Sequence, residues 1–197
     1  SVTVGLASDV RMMRVNYEGE LGWELYHPIT YNLHLFDEIS KAGKEHGLKH
    51  CGYRAIESLR LEKSYRAMYR DMDVEHTALE SGLDRFVKFE KEDFVGFRAL
   101  TRQKEQGLEK RMVTLQVETV DADAYMNESV YKEGELVGRV TSGATSHNVG
   151  NCLSMAYVKQ RHSQPGTRLE IQVLENRCPA TVLEDSPYDP DNQRPRM

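Results

Sequence analysis

The chain has 197 residues, of which 39% are hydrophobic and 29% charged, the composition of a folded protein with one or two small domains. A net charge of −5 argues against a general nucleic-acid binder, and the apolar runs are too short for a transmembrane helix. Three widely spaced cysteines argue against a disulfide framework or a structural zinc site, and they favour a reducing compartment, the cytosol or the mitochondrial matrix. The start at Ser1, without a methionine or a signal peptide, suggests a truncated or processed fragment.

The first informative segment is RVNYEGELGWEL, residues 14–25. Two strand-like pieces, residues 14–17 and 23–26, flank a turn in which Gly19 and Gly22 permit positive φ or a close approach of chain or ligand. Glu24 stands among apolar and aromatic residues, where a carboxylate is costly unless it receives hydrogen bonds. The residues alone leave two interpretations: a glycine turn that presents Glu24 to a ligand, or an ordinary hairpin with an outward glutamate.

Two helices follow in the predicted order. Apolar residues recur at helical spacing within residues 31–48, and Gly47 is well placed to end that helix. A second helix is predicted over residues 53–69. Strands followed by two helices are typical of an α+β unit.

Beyond Gly107 the pattern changes to short strands with polar turns, which favours a small barrel or a folded sheet. The predicted strands are residues 111–118, 129–132, 136–141, 153–158, 168–174 and 180–183. Glu133, Gly134 and Glu135 form a predicted hairpin connection. Residues 185–197 are expected to be extended or frayed.

Four blocks of sequence resemble the glycine cleavage T-protein (aminomethyltransferase) family, and they occur in the order of that family. The blocks are residues 14–25, residues 51–66, residues 77–83 with 93–100, and residues 138–146 with Gly150 and 155–158. The second and third blocks are most similar to the folate-binding C-terminal region of sarcosine and dimethylglycine dehydrogenases. The resemblance implies the second half of a folate-binding α+β domain, a ferredoxin-like piece, over residues 1–104. It implies a C-terminal β-barrel domain over residues 105–197.

The resemblance also implies the residues that hold tetrahydrofolate. The family uses the glutamate at the position of Glu24 to accept the paired N–H groups of the pterin. Tyr65 matches a tyrosine that lines the folate pocket, although a tyrosine that packs on the core is an equal alternative. Tyr31 is a weaker candidate from the region after the signature.

Four basic residues follow at spacings of three, three and four, so most of them would share one side of the second helix: Arg60, Lys63, Arg66 and Arg70. Such a stripe could receive the anionic glutamate tail of folate, and Arg60 is its candidate binding residue. A solvated basic face, balanced by neighbouring glutamates, is the alternative. The T-protein itself usually has an arginine where this chain has Ile56, a difference that indicates either a weaker affinity for folate or the dehydrogenase branch of the family.

The fourth block suggests turn chemistry near the binding cleft, with Gly143 and Gly150 serving the backbone. His147 is expected to be a loop histidine rather than a general base. No Ser-His-Asp arrangement, phosphate loop or dinucleotide fingerprint is present in the sequence. Any FAD therefore belongs to a separate domain or subunit outside this chain.

The implied activity is transfer of a one-carbon unit to tetrahydrofolate, forming 5,10-methylenetetrahydrofolate. The partners would be folate and a small methylated amine (sarcosine or dimethylglycine), or an aminomethyl carrier protein, with no nucleic acid and no membrane. The catalytic aspartate of the family has no counterpart here, so we expect an isolated fragment to be inactive or nearly so. The alternative is a non-catalytic regulatory module that keeps the fold. A folate-dependent tRNA-modifying or iron–sulfur assembly relative is disfavoured by the acidic charge.

Overall fold

Strands dominate both ends of the chain in the computed structural model, which describes residues 1–91, 93–119 and 121–197. In chain order, the elements are β1 (Val2–Val4), β2 (Ala7–Met13), β3 (Glu24–Tyr26), α1 (Asn32–Gly43), α2 (Tyr53–Glu62), α3 (Phe97–Gln106), β4 (Lys110–Val117), β5 (Ser129–Lys132), β6 (Glu135–Thr145), β7 (Cys152–Lys159), β8 (Arg168–Val173) and β9 (Asn176–Leu183). The chain divides into one unit of Ser1–Ile56 with Asp191–Met197, and a second of Glu57–Pro190. No helix in these described residues is long and apolar enough to cross a membrane.

The first unit is built on a three-stranded antiparallel sheet in the order β1-β2-β3. Its buried core consists of Ala7, Val10 and Leu35, the last of which comes from α1. Apolar residues of α1 on the other side of the helix, such as Leu33 and Phe36, are exposed. The hydrophobic core of this unit is therefore small.

The end of the first helical region follows the prediction. After α1 a short 3-10 turn leads to Gly47, whose φ of +73° is the left-handed conformation that a C-cap glycine adopts. The backbone N–H of Leu48 donates to the carbonyl of Gly43 at 3.0 Å, which closes the helix end. The prediction of Gly47 as the C-cap is confirmed.

The second unit contains a closed antiparallel barrel with the strand order β4-β7-β6-β5-β8-β9. Alternate residues of β4, namely Val113, Leu115 and Val117, enter its interior core. The same alternation on every strand explains why the sequence showed short periodic segments rather than long apolar runs. The mixed α/β fold class with a C-terminal barrel is confirmed, and the strand bounds differ from the predicted ones by a few residues.

A second buried cluster lies on the other side of the barrel wall. Met155 and Tyr157 of β7 alternate with the interior residues of the same strand, and they pack with Met112 and with Leu61 of α2. This cluster seats the C-terminal end of α2 on the barrel. The positions of Arg60 and Glu62, which flank Leu61, follow from it.

Two predictions of secondary structure are wrong, and one helix was missed. Helix α2 ends at Glu62 rather than near residue 69, because Ser64 has a φ of +54° that no α-helix accommodates. Helix α3 was not predicted, although Gly96 at φ +93° and Gly107 at φ +85° mark its two ends. Thr141, Ser142 and Gly143 of the fourth block, which were predicted as turn residues, belong to strand β6.

The C-terminal tail is held by specific contacts, so the expectation that it is frayed is also wrong. In the second unit, the buried Lys63 ammonium donates to the carbonyls of Tyr188 and Asp189 at 3.1 and 2.6 Å. In the first unit, Arg194–Arg196 forms a 3-10 turn. The guanidinium of Arg14 donates to the carbonyl of Met197 at 2.7 Å.

A buried ion pair joins α2 to the segment that follows it. The side chains of Arg60 and Asp71 are both fully buried, and Arg60 Nη1 donates to Asp71 Oδ2. Arg60 Nη2 donates to Glu57 Oε2 at 3.0 Å, and Glu57 also pairs with Arg70 at 2.8 Å. A buried charge is tolerated only when its remaining hydrogen-bonding capacity is satisfied, which this network achieves for Asp71.

The other bonds of Asp71 come from the barrel and from a neighbouring turn. Thr141 and Ser142 of β6 both donate their hydroxyl protons to Asp71 Oδ1, and the backbone N–H of Ala67 donates to Oδ2 at 2.8 Å. The Tyr157 hydroxyl donates to the Asp71 carbonyl at 2.8 Å. Asp71 therefore links the turn after α2 to two barrel strands.

A second buried carboxylate, Glu62, is bound entirely by polar groups of the loop after β6. It accepts from the Ser146 hydroxyl at 2.7 Å, the Asn148 backbone N–H at 2.9 Å and the Asn148 side-chain amide at 2.6 Å. Ser146 of the fourth block thus fixes the loop by binding an acid of the second block. His147 is exposed in this turn, as predicted.

We predict that Asp71→Asn lowers the free energy of unfolding by about 3 kcal/mol or more, because it removes the charge that balances the buried Arg60. The matched control is Asp84→Asn, which breaks the partly exposed pair with Arg111 and should cost less than about 1 kcal/mol. Urea unfolding followed by circular dichroism measures both. Equal losses for the two variants would contradict the role assigned to Asp71.

A close approach of two backbones generates a second prediction. A Cβ added to Gly143 of β6 would lie 2.1 Å from the carbonyl oxygen of Ala124, so Gly143→Ala should destabilise the chain by about 1–3 kcal/mol. Gly52→Ala is the control, since nothing lies within 4 Å of its added Cβ, and it should change stability by less than about 1 kcal/mol. A Gly143→Ala variant as stable as the wild type in urea unfolding would refute this packing argument.

Candidate functional site

The signature segment forms the loop between β2 and β3 in the first unit. Strand β2 ends at Met13, so residues 14–17, which were predicted as a strand, belong to the loop instead. Gly19 has a φ of +79°, and its N–H donates to Asn16 Oδ1 at 2.9 Å. A Cβ on Gly22 would lie 2.9 Å from the Asn16 Cβ. Both glycines therefore have the conformational roles that the sequence predicted.

Two residues of the loop, Arg14 and Glu20, are also bound by residues at the C-terminal end of the chain. Arg14 donates to the carbonyl of Met197, and Glu20 Oε2 accepts from Arg194 Nε at 3.0 Å. Both contacts lie within the first unit. They give the signature loop a defined shape before any ligand binds.

Glu24 follows this loop as the first residue of β3, opposite Met13 in the sheet. Its side chain is exposed, and it accepts a hydrogen bond from the hydroxyl of Tyr26. That hydrogen bond is the main cause of a raised pKa for Tyr26. No Lys or Arg of the described residues pairs with Glu24, so most of the accepting capacity of its carboxylate is open to a ligand.

Tyr31, the weaker aromatic candidate, closes the short 3-10 turn Ile29–Tyr31 in the same unit. The residue is partly buried and packs on the core of Ala7, Val10 and Leu35. Part of the Tyr31 side chain is covered by this core, and the rest is accessible to solvent. No hydrogen bond between Tyr31 and Glu24 occurs among the described residues.

The other two candidate residues, Arg60 and Tyr65, lie in the second unit and are brought together there. Arg60 Nη1 donates to the Tyr65 carbonyl at 2.9 Å, and the Tyr65 N–H donates to the Arg60 carbonyl at 2.9 Å. The Tyr65 residue is partly buried, whereas Arg60 is inaccessible. The structure thus uses the Arg60 guanidinium to fix the backbone around Tyr65.

The expected basic stripe does not form, because the helix stops before three of its four members. Lys63 is buried, and Arg66 pairs with Asp185 at 2.7 Å. Arg70 pairs with Glu57. The interpretation as a solvated basic face is therefore wrong for Arg60 and Lys63, since both are at most 1% exposed.

Sequence reasoning missed that the acids of this region are buried. The neighbouring glutamates Glu57 and Glu62 were interpreted as part of a solvated face, and Asp71, which pairs with Arg60, was not singled out. The signal that could have found them is the alternation of acids with apolar residues at helical spacing in the second block, which places Glu57 and Arg60 on the same side as Leu61. Thr141 and Ser142 gave no such signal, because hydroxyl residues are equally common in turns.

Two family models match consecutive parts of the chain. The model of the GCVT N-terminal domain matches residues 1–91, and that of the glycine cleavage T-protein C-terminal barrel domain matches residues 110–189. The second range contains all six barrel strands. Together the two models cover most of the chain, and residues 92–109 and 190–197 lie outside them.

Curated relatives give the same assignment. Mitochondrial dimethylglycine dehydrogenase of Mus musculus is 41% identical over 177 residues, covering 89% of this chain and 20% of that protein. The mitochondrial pyruvate dehydrogenase phosphatase regulatory subunit of Mus musculus is 35% identical, over 80% of this chain and 18% of that protein. Aminomethyltransferase of Thermosynechococcus vestitus (strain NIES-2133 / IAM M-273 / BP-1) is 35% identical, over 93% of this chain and 48% of that protein. The chain thus spans about a fifth to a half of the length of these relatives.

Among solved structures, the glycine cleavage system aminomethyltransferase T from Bartonella henselae has the same fold, with a TM-score of 0.84 and 22% sequence identity. The match covers 92% of this chain and 50% of that one. The consecutive family models, the relatives and the shared fold agree. The chain belongs to the glycine cleavage T-protein (aminomethyltransferase) family.

Proposed function

We propose that the chain is the tetrahydrofolate-binding C-terminal part of a larger enzyme that forms 5,10-methylenetetrahydrofolate, similar to a sarcosine or dimethylglycine dehydrogenase or to the T-protein. The observation that carries the proposal is the exposed Glu24 carboxylate at the end of a preformed loop. A pterin presents a ring N–H and an exocyclic amine side by side. A carboxylate can accept both, while the Tyr26 hydroxyl occupies only one of its lone pairs.

Tyr31 is proposed as an aromatic contact for the p-aminobenzoyl group, because it lies in the same unit as Glu24 and is only partly buried. Tyr65 is partly buried in the second unit, and its role in folate binding stays a prediction from the family resemblance. Arg60 is not retained as a direct contact, because its guanidinium is buried against Asp71 and Glu57. Its proposed part is to hold the backbone of Tyr65 in place.

In this proposal the chain contributes binding and orientation rather than a catalytic group. Tetrahydrofolate, when bound, supplies the N5/N10 pair that accepts the carbon from a methylated amine or from an aminomethyl carrier protein. Glu24 orients the pterin for the transfer. The aspartate that assists transfer in the family, and the FAD domain of the dehydrogenases, would be supplied by other parts of the protein or by another subunit. The location would be the cytoplasm, or the mitochondrial matrix in a eukaryote.

A second candidate function is a non-catalytic regulatory module. It is favoured by Ile56, which replaces the arginine usual in the T-protein, and by the 35% identity to a phosphatase regulatory subunit. A folate-binding measurement distinguishes the two candidates. The enzyme part should bind folate through the accessible carboxylate of Glu24, whereas a regulatory module that has lost the ligand should not bind it.

We predict that calorimetric titration with 5-formyltetrahydrofolate shows saturable binding that Glu24→Gln weakens by about 1–3 kcal/mol, because the amide can no longer accept both pterin donors. Glu45→Gln, an exposed acid of the same unit, is the control and should leave the affinity unchanged. The titration is made on this chain and on the longer protein that contains it. Absence of saturable binding to both would contradict the folate proposal and favour the regulatory module.

The isolated 197-residue chain should form no 5,10-methylenetetrahydrofolate above the background rate, because it carries the proposed pterin contact without the family aspartate. The measurement is product formation from tetrahydrofolate and dimethylglycine or sarcosine, with the complete enzyme as the positive control. Turnover of the isolated chain at the rate of the complete enzyme would show that the catalytic groups lie within these residues.

A further inference from the structure

A groove of about 740 Å³ lies on the second unit, where β4 and β6 begin and β7 ends. Its apolar surface comes mainly from Leu108 and Leu136. Its polar groups are mostly basic and include Lys110, Arg139, Lys159 and Arg161. A concave apolar site of this size with a few convergent polar groups is typical of small-molecule binding.

The strand register places two of these lysines against each other. Lys110 of β4 is directly opposite Lys159 of β7. Like charges in opposed positions of an antiparallel pair are destabilising. A negatively charged group in the groove would therefore reduce the repulsion between the two lysines.

Glu135 supplies part of that negative charge. It pairs with Lys159 and, at 2.9 Å, with Arg161, and its pKa is lowered chiefly by the hydrogen bond from Lys159. Lys110 and Arg139 have no carboxylate partner among the described residues. The Arg139 guanidinium donates to the neutral amide of Asn127 at 2.7 Å, and the Lys110 ammonium lies 5.8 Å from the centre of the Tyr157 ring.

The local charge balance is therefore positive within an acidic chain. Four cations, those of Lys110, Arg139, Lys159 and Arg161, stand against three carboxylates, those of Glu109, Glu135 and Asp73, the last of which contacts the lining residue His76. The surplus is one positive charge, whereas the whole chain has a net charge of −5. Such a local surplus in a concave site attracts anions.

One wall of the groove is rigid and aromatic. The ring of His76 stacks on Tyr157 with centroids 3.8 Å apart, and its Nδ1 is 2.6 Å from Asp73 Oδ1. The Tyr157 hydroxyl is bonded to Ser81, and burial raises the pKa of Tyr157 to about 12, so this wall carries no phenolate charge at neutral pH. Asp73 occupies one nitrogen of His76, which leaves Nε2 as the second polar atom of that ring.

We propose that this groove binds a small organic anion, in which a carboxylate or phosphate group is held by Lys110 and Arg139 and an apolar body lies on Leu108 and Leu136. The site lies wholly within the second unit and does not depend on the proposed folate function. The two sources of the anionic group, carboxylate and phosphate, are separated by the choice of probe.

The experiment titrates the 197-residue chain with pyrophosphate and, separately, with glutarate at low ionic strength, followed by amide chemical shifts in NMR. At least one probe should bind saturably with one-to-one stoichiometry and shift amides of β4, β6 and β7. Lys110→Glu should weaken that binding tenfold or more. Lys132→Glu, which changes the net charge equally on a barrel strand outside the groove lining, should alter it less than twofold.

Three results would overturn the proposal. In the first, neither probe binds saturably, and in the second, the two charge-reversal variants weaken binding equally. In the third, an acidic hexaglutamate peptide binds but neither small probe does. The last would assign the groove to a protein partner instead. If Lys110→Glu does not fold, judged by circular dichroism, Lys110→Gln takes its place with Lys132→Gln as the control, and a threefold or greater weakening is expected for the first alone.

Discussion

The buried pair of Arg60 and Asp71 is the interaction on which the second unit depends. Removing two charges from water costs several kcal/mol for each ion, and the attraction between them compensates only if their other donors and acceptors are also satisfied. Asp71 meets that condition through Thr141, Ser142 and the Ala67 N–H. The turn after α2 and strand β6 must therefore keep their positions together, and the end of α2 follows from the same condition.

This network explains part of the resemblance to the family, because residues of the second and fourth blocks make its contacts. Arg60 and Lys63 of the second block are used internally, and Ser142 and Ser146 of the fourth block bind Asp71 and Glu62. Two blocks that are far apart in the sequence thus encode one set of contacts between an α2 segment and a barrel. A resemblance in both blocks indicates the fold strongly, and it says less about which residues touch a ligand.

The sequence was sufficient for the barrel and for the turn glycines, because alternation and glycine placement are local signals. It was insufficient for the end of α2. The spacing of Arg60, Lys63 and Arg66 is helical, but Ser64 leaves the helical conformation to bond with Thr114 and the N–H of Ser186, contacts that are distant in sequence. For the same reason, the candidate Arg60 could not be distinguished from a surface arginine. Glu24 was placed on the right strand, since its neighbours Trp23 and Leu25 carry the strand pattern.

The ionisable groups of this chain differ in how many hydrogen bonds and ion pairs the protein itself gives them. Glu62 and Asp71 are buried and receive several donors each, so neither has capacity left for a ligand. Glu24 is exposed, receives one hydroxyl and is held on a loop that two backbone-fixing glycines shape. The same criterion applies to the cations: Arg60 pairs with both Asp71 and Glu57, whereas Lys110 stands opposite another lysine and has no carboxylate partner in the part of the chain that the structure describes. The groups that the fold leaves electrostatically incomplete are the ones that a ligand can complete, which is why we propose the pterin contact at Glu24 and the anion site at Lys110 rather than at the buried charges.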